Sequence, residues 1–220
     1  SLLDRRWGLA ALSLVVVAIM SLLATLAFGT QVWSTSLTAI ASTAEVLREG
    51  RFPLFRMTSI YAFALSFGIA HHIAMLLHLI NVIAALGALV VLSRAKLPPR
   101  VFMGAGVFAS TLISPYNYDY DLAMLAVAAC LLFDTVTRHA SQVERYIIAA
   151  VILIIGTYGF ALTAVVAVII NDETAAPVSL LGPVLLFGGI VLFRVLWRNR
   201  MSLSGKRSNN LPTDVALQGS

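Results

Sequence analysis

Long apolar segments alternate with short polar ones along this chain. Six segments are apolar enough to form membrane spans or partial spans, and the longest approach the ~20 residues that cross ~30 Å of hydrocarbon as a helix. They cover 8–28, 70–92, 101–113, 122–133, 146–170 and 177–197. This pattern predicts an all-α fold, a polytopic transmembrane helix bundle of about five to six spans.

Two further segments differ from these spans. Between Gln31 and Gly50, apolar residues recur near helical spacing among serines and threonines, which predicts an external amphipathic helix that Gly50 and Pro53 end. The apolar run 58–69 is too short to span. It is typical of a re-entrant or surface segment, which is tolerated at membrane depth where protein covers its backbone.

Composition supports lipid as the main solvent. Hydrophobic residues make up 60% of the 220 positions and charged residues 11%, against about 25% charged in soluble domains. We therefore assign 1–197 to a transmembrane domain and 198–220 to a polar, disordered cytoplasmic tail. The single cysteine, Cys130, lies in an apolar run and excludes an internal disulfide or a zinc framework.

The net charge of +5 arises mainly at alternate ends of the apolar segments. This distribution follows the positive-inside rule and excludes a nucleic-acid groove. We predict a multi-pass protein of the plasma (inner) membrane with a cytoplasmic C-terminus. Alternate threading leaves Arg48, Arg51 and Arg56 outside and places the other side's cations in the cytoplasm: Arg5, Arg6, Arg94, Lys96, Arg100, Arg138, Arg145, Arg198, Arg200, Lys206 and Arg207.

The densest polar cluster is SPYNYDYD, residues 114–121, between two short apolar segments on the external side. Carboxylates at or below the membrane surface are costly unless paired or hydrated, so Tyr116, Asp119 and Asp121 are candidate substrate-binding residues. The alternative is a structural loop. Pro115 would then break one helix, Asp121 would cap the next, and the tyrosines would belong to an aromatic belt.

A second cluster, RFPLFRMTS, covers residues 51–59. A guanidinium grips phosphate bidentately, so Arg56 is a candidate for a lipid phosphate, and Arg51 a weaker one. The alternative is ordinary contact with lipid headgroups.

Histidines form a third set, on the segment 70–92. His71 and His78 share a helical face with Asn81, but two turns, about 10 Å, separate the two histidines, so they cannot hold one metal ion alone. A polar stripe facing other helices is the better interpretation. His71, nearest the external end, is a candidate substrate contact. No metal or cofactor is predicted.

The succession FGTQVW, REGRFPLFRMTSIYAF, a long apolar helix and LISPYNYDYDLAML resembles the C-terminal half of glycosyltransferase family 87, in the GT-C superfamily. The resemblance covers roughly 7–133 and is most specific in SPY-x-YDYDL. Thr58 stands where the family has proline. Its implied partners, besides membrane lipids, are a polyprenyl-phosphate sugar donor and a glycolipid or glycan acceptor.

The resemblance also implies external transfer of a hexose, mannose in related enzymes, with inversion, Arg56 on the donor phosphate, and Tyr116, Asp119 and Asp121 lining the sugar or acceptor pocket. The family's catalytic aspartate lies on an early external loop, expected upstream of Ser1, so this chain is interpreted as an incomplete enzyme without its general base unless Asp119 or Asp121 substitutes. Two alternatives stay open: a small transporter or flippase-like subunit that uses Asp119 and Asp121, and a non-catalytic scaffold.

Overall fold

A computed structural model describes residues 2–48, 53–165 and 177–205. The described residues are α-helical apart from turns, two short 3₁₀ segments and one isolated β-bridge, which confirms the predicted all-α class. The chain divides into two compact units, Ser1–Phe52 and Pro53–Ser220.

The first unit contains two helices, α1 (Leu2–Phe28) and α2 (Gln31–Arg48). Gly29 joins them in a left-handed conformation, φ +78°, that a residue without Cβ adopts readily. Trp33 Nε1 donates to Thr25 Oγ1 at 2.9 Å across this turn. Helix α2 matches the amphipathic helix predicted after Gln31, and its axis turns 102° from that of α1.

The second unit contains seven helices among its described residues. The short α3 matches the predicted short segment, and Gly68 (φ +73°) separates it from α4. A 3₁₀ turn at Leu54–Arg56 precedes α3, and another at Asp119–Leu122 precedes α6. The helices are α3 (Ile60–Ser66), α4 (His71–Arg94), α5 (Pro99–Ile113), α6 (Ala123–His139), α7 (Gln142–Val165), α8 (Leu181–Arg198) and α9 (Arg200–Gly205).

Four helical segments in the described part are long and apolar enough to cross a membrane: His71–Arg94, Asp119–His139, Gln142–Val165 and Leu181–Arg198. A fifth is added if Leu14–Phe28 and the bent segment Gln31–Ile40 count as one span. Helix α5 has only 15 residues. Many large apolar side chains on these helices stay exposed in the isolated chain, as lipid-facing residues do.

Helix α8 contributes to both halves of the core. Towards its start, Leu181 and Leu185 are fully buried with Val151 and Ile155 of α7. Towards its end, Leu192 and Leu196 pack in a second cluster with Leu92, Val101 and Leu132. Three glycines of α8 lie against neighbours, where a Cβ would meet the Ser59 carbonyl, Val151 or Phe108, so small residues permit the close approach.

Helix α5 ends beside the second and third turns of α4. This contact lies about 10 Å along α4 from the first residue of that helix. The last carbonyls of a helix lack partners within it. Here three consecutive ones are satisfied by side chains: Asn117 Nδ2 donates to Thr111 O at 3.1 Å, and Asn81 Nδ2 donates to Leu112 O at 2.9 Å. His78 Nε2 lies 3.0 Å from Ile113 O. The polar stripe of α4 thus faces a neighbouring helix, and residues 114–121 follow a helix end that these side chains hold.

At the opposite end of this unit, Ser141 and Glu144 form a capping box at the start of α7: Ser141 N donates to Glu144 Oε2 at 2.8 Å, and Glu144 N donates to Ser141 Oγ at 3.3 Å. Arg198 grips the same carboxylate with Nη1 and Nη2 at 3.1 and 2.8 Å. The junctions between helices at this end are therefore fixed by a charged network.

The sequence predicts a disordered tail from Arg198, but the described residues after α8 form a further helix. Helix α9 covers Arg200–Gly205, and Leu203 is buried in the α8 cluster. Burial of the Leu203 side chain favours this added turn of helix, since it extends the core beyond α8. Residues 206–220 lie outside the described part of the chain, as does 166–170 at the end of the predicted span 146–170.

Candidate functional site

Arg56 and Asp119 form a bidentate ion pair in the second unit, although 63 positions separate them in the chain. Arg56 Nε donates to Asp119 Oδ2 and Nη2 donates to Asp119 Oδ1, both at 2.9 Å. The Asp119 side chain is 16% exposed and that of Arg56 is 37% exposed. The hydrogen bonds that Arg56 donates to Asp119 raise the pKa of Arg56, so the guanidinium stays positive.

Backbone pairing brings these two residues together. Met57 and Tyr118 form an antiparallel bridge, and Thr58 N donates to Asn117 O at 2.8 Å. Ser59 Oγ donates to Pro115 O at 2.6 Å and accepts from Ala62 N, which caps α3. Residues 56–59, at the end of the first predicted cluster, therefore run beside residues 115–119 of the second.

Residues just before α8 and in its first turn contact the same segment. Ser179 Oγ donates to Met57 O at 2.9 Å, and Ser179 N donates to Ser66 Oγ at 3.1 Å. Ser179, Met57, Thr58 and Ser59 are all buried. A Cβ on Gly182 would overlap the Ser59 carbonyl, so glycine lets α8 approach this backbone. The backbone that follows Arg56 is thus held by residues 115–118, by Ser179 and by the close approach of α8 at Gly182.

Helix α7 contacts the pair at Gly159. A Cβ added there would overlap Asp119 Oδ2, whereas one added at Gly156, one turn earlier, would meet nothing. The missing side chain at Gly159 therefore makes room for the carboxylate.

The two aspartates of the turn have different positions. Asp121 is exposed, and its Oδ2 accepts from Tyr118 N at 3.0 Å, so it caps the 3₁₀ turn that leads into α6. No ion pair to Asp121 occurs within the described residues. Asp121 therefore caps the 3₁₀ turn and not α6 itself, whose N-cap Leu122 has no side-chain capping bond. Asp119 is the carboxylate that contacts the guanidinium of Arg56.

Tyr61 links two other predicted residues. It is fully buried, and its hydroxyl lies 2.6 Å from His71 Nδ1. Its ring also contacts that of Tyr116 edge to face, with centroids 6.0 Å apart. Sequence reasoning missed Tyr61 because it resembles any other residue of an apolar run. The feature of the sequence that could have identified Tyr61 is its position, five residues after Arg56.

A second aromatic pair lies on the turn itself. The Tyr118 and Tyr120 rings stack with centroids 5.3 Å apart and planes 3° apart. Tyr120 is 66% exposed, and burial raises the pKa of Tyr118. Aromatic faces of this kind are available to a ligand beside the Arg56–Asp119 pair.

Five predicted substrate-binding residues thus lie on the elements that meet at one end of the second unit: Arg56, His71, Tyr116, Asp119 and Asp121. Arg51 lies outside the described residues. The described side chains include no group of three metal-ligating residues.

Comparison with known proteins adds no further assignment. The chain matches no family model, no curated protein and no solved structure. Among the described residues, the site offers a fixed cation with donors that no other residue occupies, exposed aromatic faces, a histidine and an exposed carboxylate.

Proposed function

We propose that this chain is part of a membrane glycosyltransferase, similar to glycosyltransferase family 87, that moves a hexose such as mannose from a polyprenyl-phosphate donor to a cell-envelope glycolipid or glycan. The observation that carries the proposal is the bidentate Arg56–Asp119 pair beside exposed tyrosines. It unites the two segments on which the family resemblance depends.

Arg56 has the donors that a phosphate needs. A guanidinium has five N–H donors in a planar fork. Asp119 receives one from Nε and one from Nη2, and within the described residues the Nη1 donors and the second Nη2 donor remain for a ligand. A phosphate can therefore bind the other edge of the fork without displacing Asp119. In this arrangement Asp119 positions the guanidinium, and Arg56 stabilises the negative charge on the leaving phosphate.

The aromatic and polar groups suit a sugar. Tyr116 and Tyr120 present exposed rings on which a sugar face can lie, and exposed Asp121 can accept hydrogen bonds from hydroxyl groups. His71, held at Nδ1 by Tyr61, can use Nε2 toward a ligand. The proton of the acceptor hydroxyl needs a base, and Asp119 is already engaged with Arg56.

We place this reaction on the external face of the plasma membrane. In the described part of the second unit, Arg56 is the one Lys or Arg at the end that contains the site. The opposite helix ends have eight: Arg94, Lys96, Arg100, Arg138, Arg145, Arg194, Arg198 and Arg200. Positive charge marks the cytoplasmic side of membrane proteins, which supports an external site and a cytoplasmic C-terminus.

The test uses membranes that contain the full-length protein and a radiolabelled polyprenyl-phosphate sugar. We expect transfer to endogenous lipid or glycan acceptors by the unmodified protein, and a loss of at least about tenfold in Arg56→Ala, since removal of one preorganised charge from a transition state costs that much or more. Arg138→Ala, at the opposite helix ends, is the control and should retain transfer. Absence of transfer by the unmodified protein would end the proposal.

The transporter alternative has a distinct outcome in the same preparation. Proton-coupled solute uptake by liposomes that is abolished in Asp121→Asn would favour it over sugar transfer.

A further inference from the structure

A groove runs between α6 and α7 in the second unit. Helix α6 packs against α5, where Gly104 lies against Leu132, and α7 packs against α8, where Gly188 lies against Val151. The two consecutive helices are thus held by different neighbours, and an apolar cavity of about 290 Å³ lies between them. This volume is close to the lower end of those of ligand pockets.

The walls of the groove are apolar and include small side chains. Ala129 on α6 and Ala149 on α7 line it, so the facing side chains leave space between the two helices. Leu192, which is buried in the core, lines it as well. Two further lining residues, Phe133 and Ile152, are exposed in the isolated chain. The groove is therefore open to lipid when the helices lie in a membrane.

The groove has the length of one lipid leaflet. Along α7 it extends from Arg145 to Ile155. A helix rises about 1.5 Å per residue, so these positions are about 15 Å apart along the axis. The hydrocarbon core of a bilayer is ~30 Å thick, and each leaflet contributes half of it. A hydrocarbon chain of one leaflet therefore matches the groove in length and polarity.

A cation lies at one end of the groove. Arg145 and Thr137 line that end, and Arg145 Nη1 lies 3.5 Å from Thr137 O, too long for a strong hydrogen bond. Of the described carboxylates at this end, Asp134 and Glu144 both pair with other arginines. Arg145 itself makes no ion pair in the described part of the chain. Its guanidinium can therefore donate to an anion.

We propose that this groove binds one anionic phospholipid, with an acyl chain between α6 and α7 and the phosphate on Arg145. In the orientation proposed above, the Arg145 end faces the cytoplasm, whose leaflet contains anionic lipids. The lipid fills a gap that the packing of α6 on α5 and of α7 on α8 leaves open. This inference does not depend on sugar transfer, because the phosphate lies at the helix ends opposite Arg56.

The test begins with the unmodified full-length protein in bilayers of phosphatidylcholine and phosphatidylglycerol, in equal amounts and with identical acyl chains. After extraction with detergent, native mass spectrometry counts the phospholipids that stay bound. We expect one retained phospholipid, with a preference of about fivefold for phosphatidylglycerol, the ratio that one cation near an anionic membrane surface supplies. Equal retention of both lipids, or no retained phospholipid, would overturn the proposal.

Two pairs of variants then locate the lipid. Arg145→Ala should abolish the preference for phosphatidylglycerol, whereas Arg138→Ala, which removes the same charge outside the groove, should keep it. Ala149→Phe fills the groove and should lower the retention of both lipids severalfold. Ala150→Phe is its control, because Ala150 is the next residue but does not line the groove. Both alanines are exposed, so neither change overpacks the core.

Three results with these variants would contradict the proposal. Equal effects of Arg145→Ala and Arg138→Ala would show diffuse attraction of anionic lipid to the positive end of the protein. Unchanged retention in Ala149→Phe would place the lipid outside the groove. Lower retention in Ala149→Phe with an unchanged preference in Arg145→Ala would indicate a chain whose headgroup lies elsewhere.

Discussion

Asp119 grips Arg56 with both carboxylate oxygens at 2.9 Å, and this pair unites two segments that lie 63 positions apart. The geometry makes Arg56 a preorganised cation, because its plane is fixed and its remaining donors point away from the carboxylate. A lipid phosphate that uses those donors would find the charge already oriented. Asp119 would then matter through the arginine that it positions.

The ion pair should be energetically coupled. Because the contact is bidentate but Arg56 is partly exposed, we expect a coupling of about 1 kcal/mol in a double-mutant cycle of Arg56→Ala and Asp119→Ala, near the upper end for exposed pairs. Unfolding in detergent measures it. The exposed Asp134–Arg138 pair gives the comparison and should couple by less, about 0.3–0.5 kcal/mol. Strictly additive effects at Arg56 and Asp119 would show that the pair does not form.

Gly159 should be intolerant of a methyl group. In Gly159→Ala the new Cβ overlaps Asp119 Oδ2, so the carboxylate must move away from Arg56. We expect a destabilisation of about 1–3 kcal/mol, typical of overpacking, together with loss of transfer. The matched control is Gly156→Ala, where the Cβ meets nothing. Its effect should be neutral or slightly stabilising, because alanine favours a helix interior. Similar losses in both variants would contradict the close contact.

Several of these features follow from the sequence, and others do not. The lengths of the apolar segments predict the long helices, since ~20 apolar residues have few other solutions in lipid. The amphipathic spacing after Gln31 likewise predicts α2. Residue types identify Arg56 and Asp119 as chemically interesting, but their pairing depends on the bridge between Met57 and Tyr118, which is a tertiary contact.

The local pattern also leaves Asp119 and Asp121 indistinguishable. Only the 3₁₀ turn assigns one to the arginine and the other to a capping hydrogen bond. Tyr61 carries no polar signal beyond its hydroxyl, so its contact with His71 emerges from the folding of α3 onto α4. The prediction of disorder from Arg198 is wrong at Leu203, which lies in a helix and is buried. Its burial depends on the neighbouring core, which the local sequence does not indicate.

The variant Tyr61→Phe should show whether the Tyr61 hydroxyl positions His71 for transfer or only stabilises the fold. The ring stays in its buried place, but the hydroxyl that meets His71 Nδ1 is lost. We expect the free energy of unfolding to fall by about 1 kcal/mol, the contribution of one hydrogen bond. Transfer by the full-length protein should fall severalfold. Tyr146→Phe is the control, because the Tyr146 hydroxyl contacts Gln142 at the opposite end of α7. Unchanged transfer in Tyr61→Phe would remove His71 from the site.

Glu144 should matter for stability and not for the site. In Glu144→Gln the carboxylate that Arg198 and Ser141 share is neutralised, and a buried charge-assisted network is weakened. We expect a loss of about 1–3 kcal/mol in unfolding free energy. Asp134→Asn, in an exposed pair on α6, should change it by no more than about 0.5 kcal/mol. Equal losses of unfolding free energy in Glu144→Gln and Asp134→Asn would indicate that water solvates the Glu144 network.

The most direct measurement is equilibrium binding of a polyprenyl phosphate to the full-length protein in nanodiscs, compared between the unmodified protein, Arg56→Ala and Arg138→Ala. Removing a charge-assisted phosphate contact of about 1.5–3 kcal/mol should weaken binding by roughly 10- to 150-fold in Arg56→Ala, with no change in Arg138→Ala. Equal affinity of all three proteins, or absence of saturable binding, would contradict the assignment of Arg56 to a lipid phosphate.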